Sequence, residues 1–79
     1  MPTVLSIKGF RFFFFSSDRN EPPHVHVKKG KGDAKIWLLP EPKPEYYFDF
    51  KSQEEAQIMK IIKENHEFLI SKWNEYFEK

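Results

Sequence analysis

Within several short stretches of the first fifty positions apolar and polar residues alternate, and from Ser52 apolar residues recur every three or four residues. The first period belongs to strands and the second to a helix. From Pro2 to Ile7 the pattern predicts a strand with Thr3, Leu5 and Ile7 on one face and Val4 and Ser6 on the other. Lys8-Gly9 makes a turn, where glycine takes positive φ at little cost. Phe10 to Ser16 is a second strand, sending Phe12 and Phe14 one way and Phe13 and Phe15 the other. His24 to Lys29 is a third strand, Gly30-Lys31-Gly32-Asp33 a turn, and Ala34 to Leu39 a fourth. In the fourth, Trp37 and Leu39 share a face opposite Ile36 and Leu38. Pro40, Pro42 and Pro44 end it, because proline cannot donate to a central ladder. Tyr46 to Phe50 alternates again and predicts a short fifth strand at an edge.

The helical period begins at Ser52, a capping residue with Glu55 at the reciprocal capping-box position. Ile58, Met59, Ile61, Ile62, Phe68, Leu69 and Trp73 then mark one apolar stripe. An unbroken helix from Gln53 to Phe77 would be about 37 Å long, more than a domain with a radius of gyration of about 12 Å accommodates. The expectation is therefore an overhang or a kink near Asn65. Trp73, Tyr76 and Phe77, at the far end, form a candidate partner surface. The fold class that follows is α+β. Residues 1–51 form a mostly antiparallel sheet of four or five strands with loops. Residues 52–79 form one long or kinked helix packed on one face, all within a single domain 1–79. The second strand is apolar on both faces and should be covered on both. One helix covers one face, so the other is expected to meet a loop, a second copy of the chain or another protein.

The stretch with the most chemistry is Glu21-Pro22-Pro23-His24-Val25-His26-Val27. Two prolines fix the direction of entry. Strand alternation then sends Val25 and Val27 to a core and presents His24 and His26 together, roughly 7 Å apart along the strand. Charge reinforces this half of the chain. Residues 1–35 hold seven basic and three acidic residues, a net +4, whereas residues 36–79 are net −3. A basic half suits a polyanion; a solubilising surface is the plainer reading. The chain has no cysteine, which excludes disulfides and thiolate zinc sites. Its longest apolar run, Phe12 to Phe15, is far short of a membrane helix, and no signal-peptide pattern opens it. These features predict a cytoplasmic protein without a membrane anchor.

Several segments together carry a resemblance: Met1-Pro2-Thr3-Val4-Leu5, Arg11-Phe12-Phe13-Phe14 with Ser16, the Glu-Pro-Pro-His-Val-His-Val stretch, Ala34-Lys35-Ile36-Trp37-Leu38, and Trp73-Asn74-Glu75-Tyr76-Phe77. They resemble the bacterial domain-of-unknown-function 4160 family over nearly the whole chain. The sequence departs from the family at Phe15, where members often carry tyrosine, and in the proline-rich segment 40–50. The resemblance implies the toxin of a type II toxin–antitoxin pair, neutralised by a small cognate antitoxin-like protein. The two histidines of the family match His24 and His26.

Three chemistries fit these residues. Metal-free RNA cleavage needs an acid, a base and cations; His24 and His26 could supply proton transfer, and Arg11, Arg19, Lys28 and Lys29 could hold phosphate. Alternatively the imidazoles could chelate a metal with Asp18, Glu21 or Asp33. In a third reading the chain is an interaction module without chemistry, and the histidines only bond a loop or a partner chain. His66 reads as a solvent-facing helix residue. The first reading, a toxin acting on RNA with no cofactor and no resident metal, is the one the resemblance favours; a homodimer is compatible with it.

Overall fold

The computed structural model describes residues 3–15 and 19–77. Five strands, β1 (Thr3–Ile7), β2 (Phe10–Phe13), β3 (His24–Lys29), β4 (Gly32–Trp37) and β5 (Lys43–Phe48), precede two helices, α1 (Ser52–Glu64) and α2 (His66–Phe77). The strands form one antiparallel sheet in the order β1-β2-β3-β4-β5. The turns explain this meander. Lys8 and Gly9 both have positive φ, 53° and 85°, the conformation whose twist matches a two-residue hairpin. Gly30, at φ 58°, opens the turn between β3 and β4.

The strand boundaries differ from the alternation pattern in informative places. The β1–β2 register shifts between Thr3 and Leu5, so Thr3 pairs with Phe13 and Leu5 with Phe12. Thr3 therefore leaves the face of Leu5 and Ile7. β2 stops at Phe13, short of the predicted end at Ser16, which lies outside the described residues. β4 begins and ends two residues earlier than predicted. β5 starts three residues earlier and contains Pro44. The proline is tolerated because β5 is an edge, and because the ladder passes from Lys35↔Tyr46 to Ile36↔Pro44, leaving Glu45 as an extra residue. Phe50 also leaves the predicted alternation. Asp49 takes φ 59°, and the Phe50 ring comes to rest 6.1 Å from that of Phe10, where a Cβ on Gly32 would otherwise stand.

The single long helix becomes two. Asn65 leaves helical geometry at φ −119°, ψ 22°, and its Nδ2 donates to the Ile61 carbonyl at 2.8 Å. The start is displaced as well. Ser52 is the first helical residue, and the Glu54 carboxylate, rather than that of Glu55, accepts from the preceding backbone N–H, that of Lys51, at 2.9 Å. α1 lays Ile58, Ile61 and Ile62 on the sheet face that carries Phe12, Val27 and Ile36. α2 crosses the end of the sheet. His66, predicted to face solvent, is half-buried and its Nε2 donates to the Leu38 carbonyl at 2.5 Å. Trp73, Tyr76 and Phe77 surround Phe14, with ring centroids 5.2, 6.1 and 6.1 Å from it. The candidate partner surface at this end of the chain is thus engaged inside the fold. The break at Asn65 turns α2 back onto the strand ends instead of letting it overhang.

Candidate functional site on the helix-free face

Residues paired across an antiparallel ladder share a face. The registers therefore lay out the side of the sheet opposite α1 in three rows. The first runs Ser6, Arg11, Lys28, Asp33, Phe48; the second Phe13, His26, Lys35, Tyr46; the third His24, Trp37, Lys43. Successive rows lie about 7 Å apart along the strands.

The predicted division of β3 holds: Val25 and Val27 enter the core, and both histidines turn the other way. They are not displayed to solvent, however. His24 is 0% and His26 7% exposed. The His26 ring stacks on Phe13 at 5.7 Å and meets Phe15 edge-on at 4.4 Å. The His24 ring, 5.1 Å from that of His26, sits between Trp37 and Trp73, each at 5.2 Å. Phe15, just past β2, thus covers on this side what α1 covers on the other. The cover is Phe15 itself, one of the two rings expected to need it, packed back over Phe13 and His26.

The hydrogen bonding follows from the two prolines. They bring the Pro22 carbonyl to 2.9 Å from His24 Nδ1, which therefore carries the proton and donates. The Pro23 carbonyl accepts from Leu38 N–H at 2.9 Å and extends the β3–β4 ladder. Glu21 Oε1 lies 3.9 Å from His24 Nδ1 and 2.7 Å from Lys35 Nζ. Lys35 Nζ also stands 4.6 Å over the Trp37 ring. Trp37 Nε1 donates to Glu45 at 2.7 Å. Burial raises the Tyr46 phenol pKa, the Asp33 carboxylate adds to the rise, and Lys35 opposes it.

The four predicted phosphate ligands separate. Arg11 and Lys28 are exposed neighbours in the first row. Lys29 belongs to the other face, with Nζ 4.6 Å over the Phe10 ring. Arg19 is exposed on the β2–β3 connection, outside the strands. Lys35, Trp37, Tyr46 and Phe48 join Arg11 and Lys28, and sequence reasoning did not select them for this site. Their signal was the register, which only the ladder fixes. Among the described residues no group of three His, Cys, Asp or Glu side chains converges. Asp18, a candidate third metal ligand, lies outside the described residues. Among the described residues no helix is long and apolar enough to cross a membrane.

A family model described as a domain of unknown function (DUF4160) matches residues 9–74. No curated protein and no solved structure matches the chain.

Proposed function

The chain belongs to the DUF4160 family, and from that premise we propose that it is the effector of a bacterial toxin–antitoxin pair, acting on RNA from the helix-free face of its sheet and neutralised by a small cognate protein. One observation carries the RNA reading: Arg11, Lys28, Lys35 and Lys43 all lie on the face opposite α1, interleaved with aromatic rings. Cations held beside aromatic planes are what a sugar–phosphate chain with unpaired bases requires.

In this reading His24 and His26 shape the face. A group that transfers a proton to substrate must come within hydrogen-bond reach of it, and His24 is fully enclosed. A second reading, the ribonuclease, rests on a different observation. Glu21, His24 and His26 form a carboxylate–imidazole–imidazole series, with Glu21 Oε1 3.9 Å from His24 and the two rings 5.1 Å apart. It requires Phe15 to move off His26.

Growth of bacteria carrying an inducible copy separates the readings. Wild type should arrest growth. Arg11→Glu with Lys28→Glu, soluble and folded, should relieve the arrest. His26→Phe, which keeps an aromatic ring in the cluster, should preserve it. Full arrest by the charge-reversed variant would remove RNA from the account. Loss of arrest in folded His26→Phe would transfer the activity to imidazole chemistry.

A further inference from the structure

We infer that the helix-free face takes single-stranded RNA in particular, with unpaired bases stacked on Trp37, Tyr46 and Phe48 and the phosphates directed toward Arg11, Lys28 and Lys43. The inference rests on the RNA reading above and names the substrate class for that face.

The geometry divides the aromatic residues of this face into two sets. Phe13, His26 and His24 are buried and serve as its floor. Tyr46 and Phe48 are 42% and 65% exposed, and Trp37 is half-buried. Phe48 is among the largest apolar side chains left in solvent, on an edge strand of a small domain. Tyr46 and Phe48, two residues apart on one strand, form an exposed aromatic pair of the kind on which successive bases stack. Phe48 is in the row of Lys28 and Arg11, Tyr46 pairs with Lys35, and Trp37 lies between His24 and Lys43. The first two rows thus each offer one exposed ring and at least one cation, and in the third the half-buried Trp37 lies beneath Lys35. The Phe48 and Tyr46 positions are two residues apart, about 7 Å, which leaves room for one unstacked nucleotide at each ring.

Charge chooses between partners. Asp33 stands within the first row, between Lys28 and Phe48; of the acidic residues at the border, Glu21 is tied to Lys35 and Glu45 to the Trp37 indole N–H. Arg11, Lys28 and Lys43 supply the remaining positive charge. The other side carries the acidic helices, with Glu54, Glu55, Glu64, Glu67 and Glu75 against Lys60, Lys63 and Lys72. A polyanion therefore finds more positive charge on the helix-free face than along the helices. Duplex RNA fits less well, because its bases are already stacked and hidden from the three rings.

The test is fluorescence anisotropy of the full chain with labelled 12-nucleotide RNA, single-stranded or duplex, at several salt concentrations. Single-stranded RNA should bind at least tenfold tighter than duplex. Tyr46→Ala and Phe48→Ala should each weaken it by about 5- to 150-fold, the stacking of one base. Arg11→Gln with Lys28→Gln should flatten the slope of log K against log salt by about 1.4. Equal affinity for duplex, or no loss in the aromatic variants, overturns the stacking inference and leaves an RNA toxin that grips the backbone alone. If neither single-stranded nor duplex RNA binds, both the inference and the RNA reading fail.

Discussion

The two faces of this sheet are encoded by the same strands, one residue out of step. On the covered face Phe12, Val27, Ala34 and Ile36 meet α1, and each is fully buried. On the other, Phe13 and His26 are nearly as dry without any helix over them, because Phe15 folds onto them. Away from that patch the second face opens to solvent at Tyr46 and Phe48. Burial on the covered face is therefore supplied by a second layer. Burial on the open face is local to the histidines, supplied by Phe13 and Phe15 around His26 and by Trp37 with Trp73 of α2 around His24. A sheet in so small a domain can keep one side free if a local aromatic cluster dries its centre.

The contrast is broken most strongly from the covered side. Phe12→Ala should cost about 3–5 kcal/mol, a large part of the roughly 4–12 kcal/mol expected for a domain of this length. Urea unfolding should show a lost or much weakened transition. A cost under about 1 kcal/mol would mean that α1 does not hold the core. Next in size is the aromatic floor. His26→Ala should cost about 2–3 kcal/mol, since it removes ring contacts with Phe13, Phe15 and His24. His26→Phe should stay within about 1 kcal/mol of wild type. If His26→Phe is the worse of the two, the polar atoms of the imidazole, not its plane, hold the face.

The tyrosines give a smaller, pH-dependent comparison. Tyr46 on the open face and Tyr47 on the covered face both have raised pKa values. Burial comes first in each, followed by Asp33 for Tyr46 and Glu55 for Tyr47. A raised phenol pKa means that the folded chain keeps its proton after the unfolded chain has lost it. Stability from these groups is complete below the unfolded value near 10 and falls as pH rises beyond it. Alkaline denaturation followed by circular dichroism should shift upward in Tyr47→Phe and in Tyr46→Phe. Unchanged profiles in both would show that the phenols are not what alkali attacks. Phe48→Ser should have the least effect on stability, within about 0.5 kcal/mol. A larger loss by thermal melting would place Phe48 in the core rather than on a working surface.

Much of this contrast was legible in the residues. The α+β class, the mostly antiparallel sheet and the division of Val25 and Val27 from His24 and His26 follow from local period, and the length a small domain allows left an overhang or a break near Asn65, of which the fold takes the break. Two things were not legible. The bulges near Thr3 and Glu45 change faces without any mark in the alternation, since an extra residue is indifferent to hydropathy. Burial of the histidines depends on Phe15 and Trp73, which come from other segments and meet them only in the fold. Lys29 groups with Lys28 in the basic run, although the alternation of the predicted strand already places it on the opposite face, where it stands over Phe10. The candidate site was thus half legible: its histidines and Arg11 with Lys28 from sequence, its rings from register.

The central claim is that the helix-free face meets the partner while the covered face only holds the fold. Amide chemical-shift mapping of the full chain during titration with single-stranded RNA tests it directly. Shifts confined to Arg11, Lys28, Lys35, Tyr46, Phe48 and their strand neighbours, with α1 unchanged, are the predicted result. Shifts centred on α1 or α2, with those strand residues unmoved, would contradict the account.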